Sequence, residues 1–245
     1  MTLSLKLALF DMAGTTVRDD QEVERCFLEA AEATGLFVER DRIVGMMGWS
    51  KRSVFQTLWQ EQWEGDGREL EQHINSSYVK FKFLLEDHYR TQPVIPTLGC
   101  VELFDWLQGQ GIAIGLNTGF YRDVTNIILS RLGWDQGLDE NYVGSPTSRI
   151  QVSVTSSEID SGEGRPAPDM IQKAMAQLDI CDPQQVMVVG DTPSDLEAGF
   201  NAHCGFVAGV TNGTHTRDQL LSYPHHGLFD SLSHVLSYLT EQQQT

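Results

Sequence analysis

Apolar residues recur along this chain in short β-rich runs separated by longer stretches of helical spacing. The runs occupy positions 5–10, 112–116, 150–154, 186–189 and 206–210. Each of the last four follows a segment that reads as helix or loop, the alternation expected of a parallel α/β sheet, here of five strands. Between the first two runs lie about 95 residues, far more than one crossover helix needs, so an inserted domain is expected there. Val23, Phe27, Leu28, Ala30 and Ala31 fall at helical spacing over 22–34, Val54, Phe55, Leu58 and Trp59 do so over 53–63, and a long amphipathic pattern covers 70–89. The insert is therefore read as helical. It starts near 18–21 and ends near 90–97, where Thr-Gln-Pro-Val-Ile-Pro-Thr has the two prolines of an extended linker. That division gives an α/β core of residues 1–17 and 97–245 and a helical insert of residues 18–96. A helix over 100–110 ends in Gly-Gln-Gly, suited to a C-cap before the second strand, and the Gln-rich tail at 241–245 reads as frayed.

Composition narrows the partners. Thirty-four acidic residues against 17 basic ones leave a net charge of -17, which argues against nucleic acid or an anionic membrane. An anionic substrate must then meet local positive charge, from a metal ion and a few placed cations. Cys26, Cys100, Cys181 and Cys204 show neither close pairing nor metal-site spacing and read as reduced thiols. The first apolar run is only about eight residues, is broken by Lys6 and ends in Asp11, so it fits a buried strand better than a signal peptide. No later stretch is long enough to span a bilayer, and a cytoplasmic protein is expected.

Four motifs carry candidate chemistry in the core, three at strand ends and one on a turn before a helix. Asp11 closes the first run and is followed by Ala13, Gly14, Thr15 and Thr16. In an open parallel sheet ligands bind beyond the carboxyl ends of the strands, so an Asp there can attack a substrate or bind a metal. After the second run come Asn117, Thr118, Gly119, Phe120, Tyr121 and Arg122, where a hydroxyl and the amides of a helix N-terminus can hold phosphate oxygens. Gly164-Arg165-Pro166-Ala167-Pro168-Asp169 presents a permanent guanidinium on a Pro-flanked turn. The fourth run leads into Asp191 and Asp195, hard oxygen ligands that suit Mg²⁺. Within the insert, Met46-Met47-Gly48-Trp49-Ser50-Lys51-Arg52 is a Gly-containing loop that opens a helix and carries Lys51.

Taken in order, these motifs resemble those of the haloacid dehalogenase superfamily over most of the chain. The resemblance implies a Rossmann-like core with an inserted α-helical cap. It also implies Asp11 as the nucleophile toward phosphorus, Thr15, Thr118 and Gly119 at the phosphate, and Mg²⁺ held by Asp11, Asp191 and the backbone carbonyl of Ala13, with Asp195 orienting that shell. Most members carry a second Asp two positions after the nucleophile as general acid and base; here that position is Ala13. Asp-x-Ala-Gly-Thr, together with Arg165 where the superfamily usually has Lys, resembles the phosphonatase branch, which cleaves a carbon–phosphorus bond. Met47-Gly48-x-x-Lys51 is similar to that branch's cap loop, whose Lys forms an imine with the substrate aldehyde. Arg52 and desolvation against Trp49 are expected to lower the Lys51 pKa and free the amine. The chain departs from the branch at Val54, where a His is usual, and at Phe120, where a Tyr is usual, leaving Tyr121 or a water as the candidate proton shuttle. The reading is a hydrolase of a small phosphonate, with a phosphate monoester as the alternative substrate, and the branch resemblance suggests a dimer through the cap, with the 22–34 helix as one candidate face. A silent member that only binds a phosphorylated metabolite is disfavoured by the presence of Asp11, Thr118, Arg165 and Asp191 together.

Overall fold

The computed structural model describes residues 4–160 and 162–243. The chain runs β1 (Leu7–Phe10), α1 (Glu22–Ala33), α2 (Arg40–Val44), α3 (Lys51–Gln62), α4 (Gly67–Thr91), α5 (Cys100–Gly109), β2 (Ala113–Thr118), α6 (Arg122–Leu132) and β3 (Val152–Thr155). It continues with α7 (Asp169–Gln177), β4 (Val186–Gly190), α8 (Pro193–Asn201), β5 (Phe206–Val210), α9 (Arg217–Leu220), β6 (Gly227–Phe229) and α10 (Leu232–Gln243). All strand pairs are parallel, in the order β3-β2-β1-β4-β5-β6.

The sheet has six strands, one more than the hydrophobic pattern predicts. The extra strand, β6, is three half-buried residues paired with β5 at the sheet edge, too short to register as a run. The third strand begins at Val152, later than expected; just before it, the Gln151 amide oxygen accepts from the Ile114 N–H at 2.7 Å and its amide nitrogen donates to the Ser148 carbonyl at 2.7 Å. This ties the 144–149 stretch against the edge of β2. The tail also differs from expectation, since α10 continues to Gln243; the last two residues of that expected frayed segment lie outside the described residues.

β1 and β4 form the centre of the sheet, and every residue in both is buried, which explains why they read as unbroken apolar runs rather than alternating ones. Ala8 and Phe10 point to one face, packed with α5, α6, α10 and the insert helices; Leu7 and Leu9 point to the other, against α7 and α8. Strand order reverses between β1 and β4, so the crevice at their carboxyl ends is the topological switch point where α/β sheets hold ligands.

The helices of residues 22–91 pack around an aromatic group in which Phe27 stacks on Phe55 at 4.0 Å between ring centroids and Phe81 meets both at an angle. Val23, Cys26, Phe27, Ala30 and Ala31 of α1 are all buried within the chain's own hydrophobic core. The two connections to the sheet run side by side: Arg18 N–H donates to the Ile95 carbonyl at 2.9 Å and Thr97 N–H to the Thr16 carbonyl at 3.0 Å. From the core, Arg131 on α6 donates to the Tyr89 and Gln92 carbonyls at the end of α4, satisfying groups that a helix C-terminus leaves open. No helix among the described residues is long and apolar enough to cross a membrane, and all four cysteines are free.

The aromatic group predicts a specific weakness. Phe55 is fully buried, and Phe55→Ala should cost about 3–5 kcal/mol through lost burial and the cavity left behind, measured as a lower midpoint in urea unfolding followed by the fluorescence of Trp59 and Trp63.

Candidate active site

The loop after β1 is wound tightly: the N–H groups of Thr15, Thr16 and Val17 all donate to the Met12 carbonyl, at 3.1, 2.9 and 2.8 Å. Gly14 takes φ +84° here, and a Cβ at this position would sit 2.5 Å from Asp191 Oδ2, so only glycine fits. The loop turns Asp11 inward at the end of β1, beside Asp191 at the end of β4. Asp11, Asp191 and Asp195 are all buried, with ligand oxygens within 4.8 Å of one another.

Each carboxylate has its own compensation. Arg165, 3% exposed, places Nη2 3.0 Å from Asp11 Oδ1 and pairs through Nη1 with Asp195. Asp195 Oδ2 accepts from the N–H of Thr192 at 3.0 Å and from its hydroxyl at 2.6 Å, the capping box of α8. Asp191 Oδ1 accepts from the Thr15 hydroxyl at 2.8 Å and Oδ2 from the Thr214 N–H at 2.7 Å. Burial, and then the like charge of Asp11, nevertheless push the Asp191 carboxyl up to about 6. A dense set of hard oxygens, short of positive charge and fitted by glycines at 14 and 213, suits a small divalent cation.

A cavity of about 20 Å³, room for a water molecule, lies over Asp11 and is lined by Ala13, Asp19, Met47, Lys51, Thr118, Gly119 and Arg165 among others. The fold thus brings Asp11, Ala13, Met47, Lys51, Thr118, Gly119 and Arg165, spread over the chain, to one enclosure. Asp191 and Asp195 lie behind it. Thr15 does not line it: the Thr15 hydroxyl, expected at the phosphate, is spent on Asp191.

The cavity is closed by the loop before α3, which meets the core at three places. A Cβ on Gly48, at φ +90°, would lie 2.1 Å from the Ser194 hydroxyl; one on Gly119 would lie 2.5 Å from the Gly48 carbonyl; and one on Gly164 would lie 3.2 Å from the Ser50 nitrogen. At Gly119 the chain meets the backbone of the loop itself, and there and at Gly48 there is no room for a larger side chain. The closed loop leaves Lys51 5% exposed, with Nζ 3.9 Å from Met47 Sδ. Burial first, and the Arg165 guanidinium second, lower the Lys51 pKa to about 8 against the pull of Asp11, Asp19 and Asp191.

Two expectations about this amine change. Arg52 does not act on it: its guanidinium turns outward to Glu71 and Asn75. The cation that matters comes instead from Arg165, whose nearness to Lys51 only the fold creates. Tyr121 is no proton shuttle for the cavity either, since its hydroxyl donates to Glu86 on α4 at 3.0 Å and the ring does not line the enclosure. Val54, where the branch has His, is buried in the helical core. Thr192, Thr214 and Asp19 are site residues that the motifs do not single out. Thr-x-x-Asp at 192–195 is a legible capping box, whereas nothing local marks Thr214 or Asp19.

The chain belongs to the haloacid dehalogenase-like hydrolases: that family's model matches residues 5–203. Phosphonoacetaldehyde hydrolase of Bacillus cytotoxicus is 28% identical over 211 residues, covering 82% of this chain and 74% of that one. Among solved structures, a phosphonoacetaldehyde hydrolase-like protein from Oleispira antarctica superposes with a TM-score of 0.76 at 19% identity, covering 98% of this chain and 93% of that one. A predicted phosphoglycolate phosphatase from Haemophilus somnus superposes with a TM-score of 0.73 at 17% identity, covering 96% and 98%. The structural likenesses bear on the fold alone.

The depressed Lys51 pKa has a stability consequence with a defined sign. Between pH 8 and 10.5 the unfolded chain binds the proton that folded Lys51 has lost, so this group favours folding increasingly as pH rises through that window, and below it the protonated amine opposes folding. Lys51→Met is expected to stabilise the protein by roughly 2 to 3 kcal/mol at pH 7, a gain that fades as pH climbs toward 10.5, read from urea midpoints across pH.

Proposed function

We propose that this chain hydrolyses the carbon–phosphorus bond of a 2-oxoalkylphosphonate, phosphonoacetaldehyde or an analogue. One observation carries the reading: a buried lysine with a pKa lowered to about 8 lines the same cavity as the aspartate expected to attack phosphorus. A carbon leaving group needs an electron sink, and a protonated imine is one. The Lys51 amine condenses with the substrate carbonyl, releasing water, and Asp11 attacks phosphorus. The electrons of the breaking bond flow to the imine, which leaves an enamine on Lys51 and an aspartyl phosphate at Asp11, and water hydrolyses each. Arg165, charged at any relevant pH, steadies the phosphoryl oxygens together with Thr118 and the amide of Gly119. Mg²⁺ would be held by Asp11, Asp191 and the Ala13 carbonyl, with Asp195 orienting that shell through Arg165 and Thr192, and would supply positive charge to the phosphoryl group.

The relatives named phosphonoacetaldehyde hydrolase support this reading. A small phosphate monoester is the alternative. Ala13 counts against it, because an alkoxide would leave without its acid, a group worth about 10² to 10⁴ in rate. The cavity of about 20 Å³ is too small for either substrate, so the 47–50 loop must lift for binding and reseat for reaction.

Phosphate release from phosphonoacetaldehyde with Mg²⁺ should be abolished by Lys51→Arg, which keeps the charge but forms no imine. Borohydride added during turnover should attach a reduced two-carbon adduct to Lys51, visible by mass spectrometry. Equal release from both proteins would overturn the imine. Since the free amine is the nucleophile, kcat/KM should rise with pH toward about 8.

A further inference from the structure

The chemistry proposed above needs a proton given and taken several times inside a closed cavity, and the usual carriers are missing: position 13 is Ala, position 54 is Val, and Tyr121 faces away. Four ionisable side chains line the cavity, Asp11, Asp19, Lys51 and Arg165. Asp11 is the nucleophile, Lys51 the amine, and Arg165 does not give up its proton. Asp19 alone has no task.

Its position is suited to one. Asp19 sits on the outgoing connection between the sheet and α1, where its Oδ1 accepts from the Val23 N–H at 3.4 Å and the like charge of Glu22, three residues on, acts on its carboxyl. Glu22 in turn lines a groove of about 360 Å³ on the other side of this wall, with Arg18, Arg25, His88 and Gln92. There His88 Nε2 lies 3.6 Å from Glu22 Oε1, and His88 Nδ1 is 3.3 Å from the Arg25 guanidinium. One carboxyl thus lines the cavity over Asp11 and its partner lines the groove. The other charged or polar groups acting on this wall are Asp11 and Asp191 from the strand ends, Lys51 from α3, and the Tyr89 hydroxyl from α4, which is buried and has no hydrogen-bond partner.

We propose that Asp19 is the acid and base of the cavity, exchanging its proton with solvent through Glu22 and His88 while the 47–50 loop is closed. This rests on the phosphonate reading. The protonated Asp19 carboxyl gives its proton to the hydroxyl of the carbinolamine formed at Lys51; that hydroxyl leaves as water, the nitrogen lone pair forms the C=N bond, and Asp19 becomes a carboxylate. Reprotonated through Glu22, it then gives a proton to the terminal carbon of the enamine after the carbon–phosphorus bond has broken, restoring the C=N bond that water hydrolyses. Burial and Glu22 push the Asp19 carboxyl up to about 7, so both forms are populated near neutral pH.

The test is the pH profile of phosphate release from phosphonoacetaldehyde for the unmodified enzyme and Asp19→Asn, which keeps the shape but carries no exchangeable acid. The expected result is a fall in maximal kcat of about 10²-fold or more with KM changed much less. If Asp19 acted only through its charge on Lys51, Asp19→Asn would move the limb near pH 8 and leave the maximum at the unmodified level; that result overturns the inference while leaving the imine reading intact. An unmodified enzyme that releases no phosphate overturns both. Glu22→Gln, outside the cavity, should lower the maximum without changing KM, and serves if Asp19→Asn does not fold; an unchanged maximum there overturns the exchange path.

Discussion

Three carboxylates held within 4.8 Å of one another in a buried crevice are the condition to which the rest of this structure answers. Two like charges about 4 Å apart repel by about 4 kcal/mol even at an effective dielectric of 20, and burial removes the water that would relieve them. The answer is distributed. One guanidinium spans Asp11 and Asp195, a threonine hydroxyl and a backbone amide hold Asp191, and a helix cap holds Asp195. Glycines at 14, 190 and 213 stand where any Cβ would collide with these carboxylates, which is why the loops can approach so closely. What remains uncompensated is the negative charge that a divalent cation and a phosphoryl group together need as host.

The helical insert is fastened to this centre rather than laid on it. The connection returning from α4 pairs with the connection leaving β1, and the Thr97 hydroxyl donates to the Thr15 carbonyl at 2.5 Å. Thr15 in turn holds Asp191. At the far end, Gly48 packs on Ser194 and Thr192, the residue that holds Asp195. The insert therefore touches the supports of two carboxylates.

The periodicity of the chain was enough to read the central strands and the helical insert, because β1 and β4 are buried on both faces and α1, α3 and α4 each bury one face. It missed β6 and the five-residue α2, which are too short to carry a period. Motif order placed Asp11 and Asp191 at strand ends and Arg165 on the turn before a helix, where the structure has them. What it could not read were relations across the fold. Arg52 is next to Lys51 in sequence but turns away, while Arg165, more than a hundred residues later, supplies the charge. Thr15 looked like a phosphate ligand because it follows the nucleophile, yet its hydroxyl is already taken by Asp191. Asp19 belongs to a stretch that reads only as a linker.

The 5% exposure of Lys51 has a further meaning. An amine partly neutral near physiological pH is a hazard in any compartment that holds reducing sugars and other free aldehydes, since each can condense with it and end as a permanent adduct. The closed 47–50 loop screens the amine by size and by charge: it shuts out bulk metabolites, and what does gain access meets a guanidinium that favours an anionic group. The same three glycine approaches that bring the loop onto the core thus also keep this amine from bulk solvent.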